Sequence, residues 1–332
     1  MNRKGQSERF AIAMLLVACA FWGMSFNWNK EAQEIASNCW VEIGGQSHLK
    51  SLGPATFLAI RFPLAALAWC LLFPGSLRSW NGTTIRAGVA GGLFLSVGML
   101  LQHYGLALTS ESLSAFLTSL TVLFTPIIAA VFLRHRITAP IWVAVGVATT
   151  GVALMTLYRE EGRFETGALL GLLCAVVFSG HILVVDHFGK REDPWRFTLA
   201  QLSVAAVVFL GFAFWRGASS LESAPGVISE AFRSSRFLLL TGATVVFSTL
   251  VTFGLMFRYQ PQTTPTRAAL TYLTEPLFAT LYAWMASGRG IEMGAVVGGL
   301  LIIVGNVVAE AFSRKAMRSD MAVAPMATGS DR

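Results

Sequence analysis

Charge is scarce in this chain. Only 13% of its 332 residues are Asp, Glu, Lys or Arg, while 54% are hydrophobic, and the mean hydropathy is +0.60. That leaves too little polar surface to coat an ordinary soluble domain. Cysteine is scarce too: Cys19, Cys39, Cys70 and Cys174 are the whole set, with no CxxC among them. Three fall in apolar runs, and Cys39, in a predicted outer loop, has no obvious outer partner, so neither a disulfide framework nor a zinc site is expected. The loops hold no Walker A sequence, glycine-rich nucleotide turn or metal-spaced acidic cluster, which argues against transport powered by this chain's own ATP hydrolysis. No cofactor or metal is expected. The net charge of +7 is scattered over short loops rather than gathered on one face, so nucleic acid is not an expected partner.

What the chain has is apolar length. Ten stretches, at 10–28, 54–73, 85–108, 111–133, 139–157, 166–187, 194–215, 236–258, 263–286 and 291–312, are each about one bilayer thick. A hydrocarbon core of about 30 Å needs roughly 20 helical residues at about 1.5 Å each. The runs lack period-2 alternation, which selects helices over strands. The predicted fold class is therefore an all-α integral membrane protein with ten transmembrane helices. The first run follows Arg3, Lys4 and Arg9 as a signal peptide would, but it continues through Trp22 and Phe26 with no small-x-small cleavage site and reads as a retained helix. With the N-terminus inside, inner segments carry sixteen Lys and Arg residues and outer segments eight. That bias places both termini in the cytoplasm of a plasma (cytoplasmic) membrane protein. Residues 29–53 then form a long outer loop.

The chain also repeats itself. At a shift of 153, Ala115-Phe116-Leu117-Thr118-Ser119-Leu120-Thr121 falls on Ala268-Ala269-Leu270-Thr271-Tyr272-Leu273-Thr274 with five of seven positions identical. At a shift of 157, Phe21-Trp22-Gly23 falls on Phe178-Ser179-Gly180. Two sets of five helices result. Because five is odd, the second set enters the membrane inverted, the arrangement of secondary transporters with a midplane site. The expected organisation is a cytoplasmic segment 1–9, a first five-helix repeat 10–157, an external linker 158–165, a second repeat 166–312, and a disordered cytoplasmic tail 313–332.

An ordered set of short motifs accompanies this repeat. Phe21-Trp22-Gly23 stands in the first helix and Arg61-Phe62 in the second. Tyr104-Gly105-Leu106 and Thr109-Ser110 lie at the turn between helices 3 and 4. Ala115-Phe116-Leu117-Thr118 and Pro126 are in helix 4, and Ala268-Ala269-Leu270 and Glu275-Pro276 in helix 9. On these residues the chain, over about 10–312, resembles the drug/metabolite transporters of the EamA type. The family usually carries a short acidic turn after helices 4 and 9, where this chain has Arg134-His135-Arg136 and Ser287-Gly288-Arg289. The resemblance implies export or exchange of a small organic metabolite.

Several residues stand out as candidates for that work. Glu275 lies about ten residues into the ninth span, where an ionised carboxylate needs a wet cavity, a partner or a proton. Ala268, Thr271, Tyr272, Glu275 and Phe278 share its helical face. Glu275 reads either as a substrate or proton-coupling group or as a structural carboxylate. Ser114, Thr118, Thr121 and Thr125 form a hydroxyl stripe on helix 4, either lining a pathway or bonding their own helix. Trp22, Ser25 and Asn29 share a face of helix 1. Gln102, His103 and Tyr104 read by default as interfacial anchors. Arg61 could snorkel, bind a carboxylate, or pair with an acid such as Glu275.

His181 and Asp186 have the His-x4-Asp spacing of glycerolipid acyltransferases. On one helix their side chains stand about 140° apart, out of hydrogen-bond reach, so His181 is left as a cavity, relay or packing residue. The site set is thus Glu275, Tyr272, Thr271, Thr118, Thr121, Trp22, His181 and Arg61, in a protein that is not an enzyme. Its partners are a small solute, the lipid bilayer and a coupling proton. Gly294-x3-Gly298 in helix 10 reads as bundle packing or as the face of a homodimer. The rival readings are a membrane sensor or scaffold on a transporter fold and, more remotely, a membrane-embedded lipid-modifying enzyme.

Overall fold

The structure, a computed structural model, describes residues 3–109, 111–133, 139–157, 166–287, 293, 296–298, 300–301 and 303–305. The turns at 134–136 and 288–289, the linker 158–165, most of the tenth span with its Gly294, and the tail 313–332 lie outside those residues. Among the described residues there are helices and turns and no strand. Six helical segments among the described residues are long and apolar enough to cross a membrane: Ser7–Gly44, Ser47–Leu72, Gly82–Leu108, Thr166–Gly189, Pro194–Arg216 and Ser235–Gln262.

The first helix, α1 (Arg3–Gly44), is 42 residues long. It corrects the expected outer loop at 29–53. Lys30, Glu31 and Glu34 end the apolar run, but they are good helix formers, and no glycine or proline stands between Gly23 and Gly44. The helix stops where Gly45 takes a left-handed φ of 69° and donates its N–H to Val41 O at 2.9 Å. Cys39 is therefore a buried residue of α1 and not a loop cysteine. A single 3-10 turn (Ser47–Leu52) leads into α2 (Gly53–Leu72). Next comes α3 (Gly82–Leu108), begun by a capping box in which the Asn81 side chain accepts from Thr84 N.

The predicted fourth and ninth helices are each broken. Helix 4 becomes α4 (Glu111–Ser119) and α5 (Thr121–Leu133), and helix 9 becomes α12 (Pro265–Tyr272) and α13 (Glu275–Ser287). The breaks fall at Leu120 and at Leu273-Thr274, positions 153 apart, so each repeat is interrupted at the same place. Pro276 is second in α13, where its missing N–H is tolerated. Between the breaks run α6 (Ala139–Leu157), α7 (Thr166–Gly189) and α8 (Pro194–Arg216). The predicted eighth helix is α10 (Ser235–Val245) and α11 (Thr252–Tyr259), joined by a π-helical turn at Val246–Val251. A short helix that the sequence reading missed, α9 (Ala224–Arg233), buries Val227 and Ala231 with Ala32, Ala36 and Trp40 of the α1 extension.

At the centre α3 packs on α7 and α8. Gly88 and Gly92 of α3 lie so close to α8 that an added Cβ would come within 2.5 Å of Ala200 Cβ and Val204 Cβ respectively. This small-x3-small face is therefore bundle packing.

Candidate functional site

The helix breaks, the π turn and the polar face of α1 meet in one central cavity of about 80 Å³. Trp22, Ser25, Phe26 and Asn29 come from α1, and Arg61 from α2. Gln102 of α3 faces Thr118, Ser119 and Thr121 at the first break, and donates from its amide to Thr118 Oγ1 at 3.2 Å. His181 of α7, Ser248 of the π turn, and Tyr272 and Glu275 at the second break complete the polar lining. Aromatic contact is concentrated at Trp22, whose ring meets Tyr272 edge-on at 5.5 Å and Phe253 at 5.9 Å.

Local structure fixes these groups. The π turn frees backbone acceptors that an α-helix would use internally. Ser248 O consequently accepts from Trp22 Nε1 at 3.2 Å, from Thr252 Oγ1 at 2.7 Å and from Arg61 Nη2 at 3.4 Å. Tyr272 donates its hydroxyl to Gln260 Oε1 at 2.8 Å, which leaves the ring face for the cavity. His181 Nε2 lies 3.0 Å from Gln201 Oε1, so that nitrogen carries the proton and donates to the amide oxygen.

Arg61 and Glu275 carry the charge. Arg61 is fully buried. Its Nε donates to Thr249 Oγ1 at 3.0 Å and Nη1 to Asn29 Oδ1 at 3.1 Å, while Nη2 also reaches Ser248 Oγ at 3.1 Å. Every one of these acceptors is neutral, and a guanidinium has five N–H donors for the four bonds made. Glu275 is buried in the first turn of α13, and among the described residues its carboxylate has no hydrogen-bond or ion-pair partner. The two groups do not form an ion pair with each other. A buried charge without an opposite charge beside it is costly, and the cavity holds one such residue of each sign.

Comparison with known proteins supplies the class. The chain matches the EamA-like transporter family over residues 9–157 and again over 165–309. It belongs to that family. It is therefore a multi-pass membrane transporter, with a small-molecule solute and membrane lipid as its partners. An uncharacterised transporter of Archaeoglobus fulgidus is 25% identical over 267 residues, covering 78% of each chain. The S-adenosylmethionine uptake transporter of Rickettsia conorii is 30% identical over 135 residues, covering 40% of this chain and 46% of that one. A solved crystal structure shares the fold, with a TM-score of 0.66 at 14% identity over 93% of this chain and 99% of the other.

In this EamA-like chain, seven of the eight site residues read from sequence come together in the cavity: Trp22, Arg61, Thr118, Thr121, His181, Tyr272 and Glu275. Thr271 is buried beside the second break but does not line the cavity, and its hydroxyl donates to Arg267 O at 2.9 Å. Ser114 and Thr125 also turn elsewhere, because the break at Leu120 interrupts the expected stripe. Gln102 is a correction: it lines the cavity and is not an interfacial anchor. Ser119 and Ser248 were missed; Ser119 had a signal, being the repeat counterpart of Tyr272. Asp186 accepts from Lys190 at 2.6 Å while His181 bonds Gln201, so the acyltransferase-like pair is not assembled.

Proposed function

We propose that the chain carries a small zwitterionic metabolite across the cytoplasmic membrane by alternating access. The observation behind this reading is a central cavity with one guanidinium bonded only to neutral groups and one carboxylate bonded to none. Arg61 receives the solute's carboxylate in its planar fork, and Glu275 receives the solute's cationic group or, in the empty carrier, a proton. Trp22 and Tyr272 give aromatic contact, and Thr118, Thr121 and His181 give polar contact. S-adenosylmethionine, which carries an α-carboxylate, an α-ammonium and a sulfonium, belongs to this solute class.

The cavity of about 80 Å³ is smaller than the 300–1,000 Å³ of ordinary ligand pockets, so loading requires the bundle to open. Two halves, 10–157 and 166–312, rock about the breaks at Leu120 and Leu273, with both termini cytoplasmic. Repeat symmetry makes the outward and inward states nearly equivalent, which suits export or exchange. The family match to two successive segments and the equivalent positions of the breaks support this organisation.

The test is counterflow in liposomes. S-adenosylmethionine and neutral amino acids are compared with an amine lacking a carboxylate and a monocarboxylate lacking a cation, with and without a pH gradient. Zwitterions should exchange and the single-charge solutes should not. Arg61→Gln and Glu275→Gln should each lower solute affinity about ten- to hundredfold, the worth of one charged hydrogen bond. Gradient-driven uptake that vanishes in Glu275→Gln assigns the coupling proton to that carboxylate. Full transport by both variants would sink the reading.

A further inference from the structure

The α1 face that brings Trp22, Ser25 and Asn29 into the central cavity continues along the helix at four-residue spacing through Gln33 and Ser37, both buried. There it meets a second cavity, of about 560 Å³, between α1, the turn Ser47–Leu52 and the C-terminal ends of α3 and α8. Nothing in the central site uses this space, and its volume suits a small organic ligand.

Its lining has unmet polar demand. Gln33 is only 2% exposed, and neither its amide oxygen nor its amide nitrogen has a hydrogen-bond partner. The Tyr104 hydroxyl, also on the lining, lies against the Arg216 guanidinium and has no acceptor for its own proton. Buried polar groups are costly to leave unpaired. The charges around them are mixed. Arg216 and Lys50 contribute cations, and Arg216 spends one N–H on Ser51 Oγ at 3.2 Å. Lys30 is already engaged, donating to Thr109 O at 2.9 Å and pairing with Glu111 at 3.4 Å. Glu34 contributes an exposed carboxylate.

We propose that this pocket is a second solute site, which takes a zwitterionic amino-carboxylate on its way along the α1 face to or from Arg61. The solute's carboxylate pairs with Arg216 and accepts from the Gln33 amide and the Tyr104 hydroxyl. Its ammonium donates to the Gln33 amide oxygen and faces Glu34. A doubly charged phosphate satisfies the donors but leaves the Gln33 oxygen unmet and meets Glu34 with like charge. The onward path rests on the function proposed for the central cavity; binding in the pocket does not.

The experiment is a thermal-unfolding titration of the purified full chain in detergent at fixed ionic strength. Glycine is the probe, and acetate and inorganic phosphate are the comparisons. It is run in the Glu275→Gln background, where the central site is weakened about ten- to hundredfold. A saturable glycine-dependent rise in the midpoint should remain there. Adding Arg216→Gln or Gln33→Leu should weaken its apparent affinity by at least about tenfold, the loss of one charged hydrogen bond. Arg216 lies at an exposed helix end, so its variant folds even if Gln33→Leu does not. No glycine effect in the Glu275→Gln background, or an effect indifferent to both added substitutions, overturns the proposal. Phosphate acting as well as glycine reduces the pocket to a general oxyanion site and overturns it too. Failure of the central reading is seen separately, as unaltered counterflow in Glu275→Gln.

Discussion

The two broken helices are built alike and equipped differently. Each is interrupted at the same position of its repeat, at Leu120 and at Leu273, and residues beside each break line the same cavity. At the first break the lining is Thr118, Ser119 and Thr121; at the second it is Tyr272 and Glu275. The position equivalent to Glu275 is Val122, a fully buried apolar residue of the main core. The repeat thus supplies the break twice and the charge once. Arg61, the buried cation of the cavity, comes from the half that lacks this carboxylate, so the two charged residues line one cavity only when both halves face each other.

Moving the charge should break this division most severely. Val122→Glu puts a carboxylate into a packed core, at a cost of about 2.5–3.5 kcal/mol on insertion scales for a charge at a helix centre. The unfolding midpoint in detergent should fall sharply, along with the yield of folded protein. Glu275→Val should do the opposite. It removes an unpaired buried carboxylate, so the midpoint should hold or rise while zwitterion counterflow is lost. A Val122→Glu protein that folds and transports like the parent would show that the two breaks are interchangeable.

A second contrast lies at the glycines of the repeated motif. A Cβ on Gly23 would come within 2.6 Å of Glu275 O and 2.8 Å of Ala279 N, both backbone atoms of α13. A Cβ on Gly180, its counterpart 157 positions on, would meet the edge of the Phe94 ring, a half-exposed side chain that can swing aside. Gly23→Ala should therefore push α13 away from α1 and cost about 1–3 kcal/mol by overpacking. Transport should fall with it, because Glu275 moves. Gly180→Ala should change the midpoint by less than about 1 kcal/mol, since the Phe94 side chain yields. Equal midpoints for the two variants would mean that α1 and α13 are not held at the contact seen here.

Most of the membrane helices were legible from apolar length, because a run of about twenty residues without polar groups has few alternatives. What length could not show was continuity. Lys30, Glu31 and Glu34 look like a loop to a hydropathy window, yet they extend α1 to Gly44 because nothing stops the helix. Pro276 hinted at the second break, while Leu120 offered no signal at all, since Pro126 lies six residues further on and inside α5. The π turn at Val246–Val251 is likewise silent in sequence, although it presents Ser248 to Arg61. The α9 helix was visible in principle from the four-residue spacing of Val227 and Ala231. Site residues on unbroken helix faces, such as Trp22, Ser25 and Asn29, were readable from periodicity. Gln102 was misassigned because its place near a helix end suggested the interface, whereas it is buried and bonded to Thr118 at the first break.

The smallest expected effect separates the threonines of the repeated segment. Thr118 and Thr271 are equivalent by sequence, but Thr118 lines the cavity and accepts from Gln102 at 3.2 Å, whereas Thr271 bonds Arg267 O within its own helix. Thr118→Val leaves the Gln102 amide without that acceptor, a loss of about 1 kcal/mol for a neutral hydrogen bond, or roughly fivefold in solute affinity if the bond orients the lining. Thr271→Val removes only a local helix bond, so the half-saturation constant in counterflow should stay within about twofold, with a midpoint change below about 1 kcal/mol. A larger transport defect in Thr271→Val than in Thr118→Val would reverse the assignment: the cavity would then have to reach past Tyr272 during the transport cycle, and the second break would carry solute contacts on both of its sides.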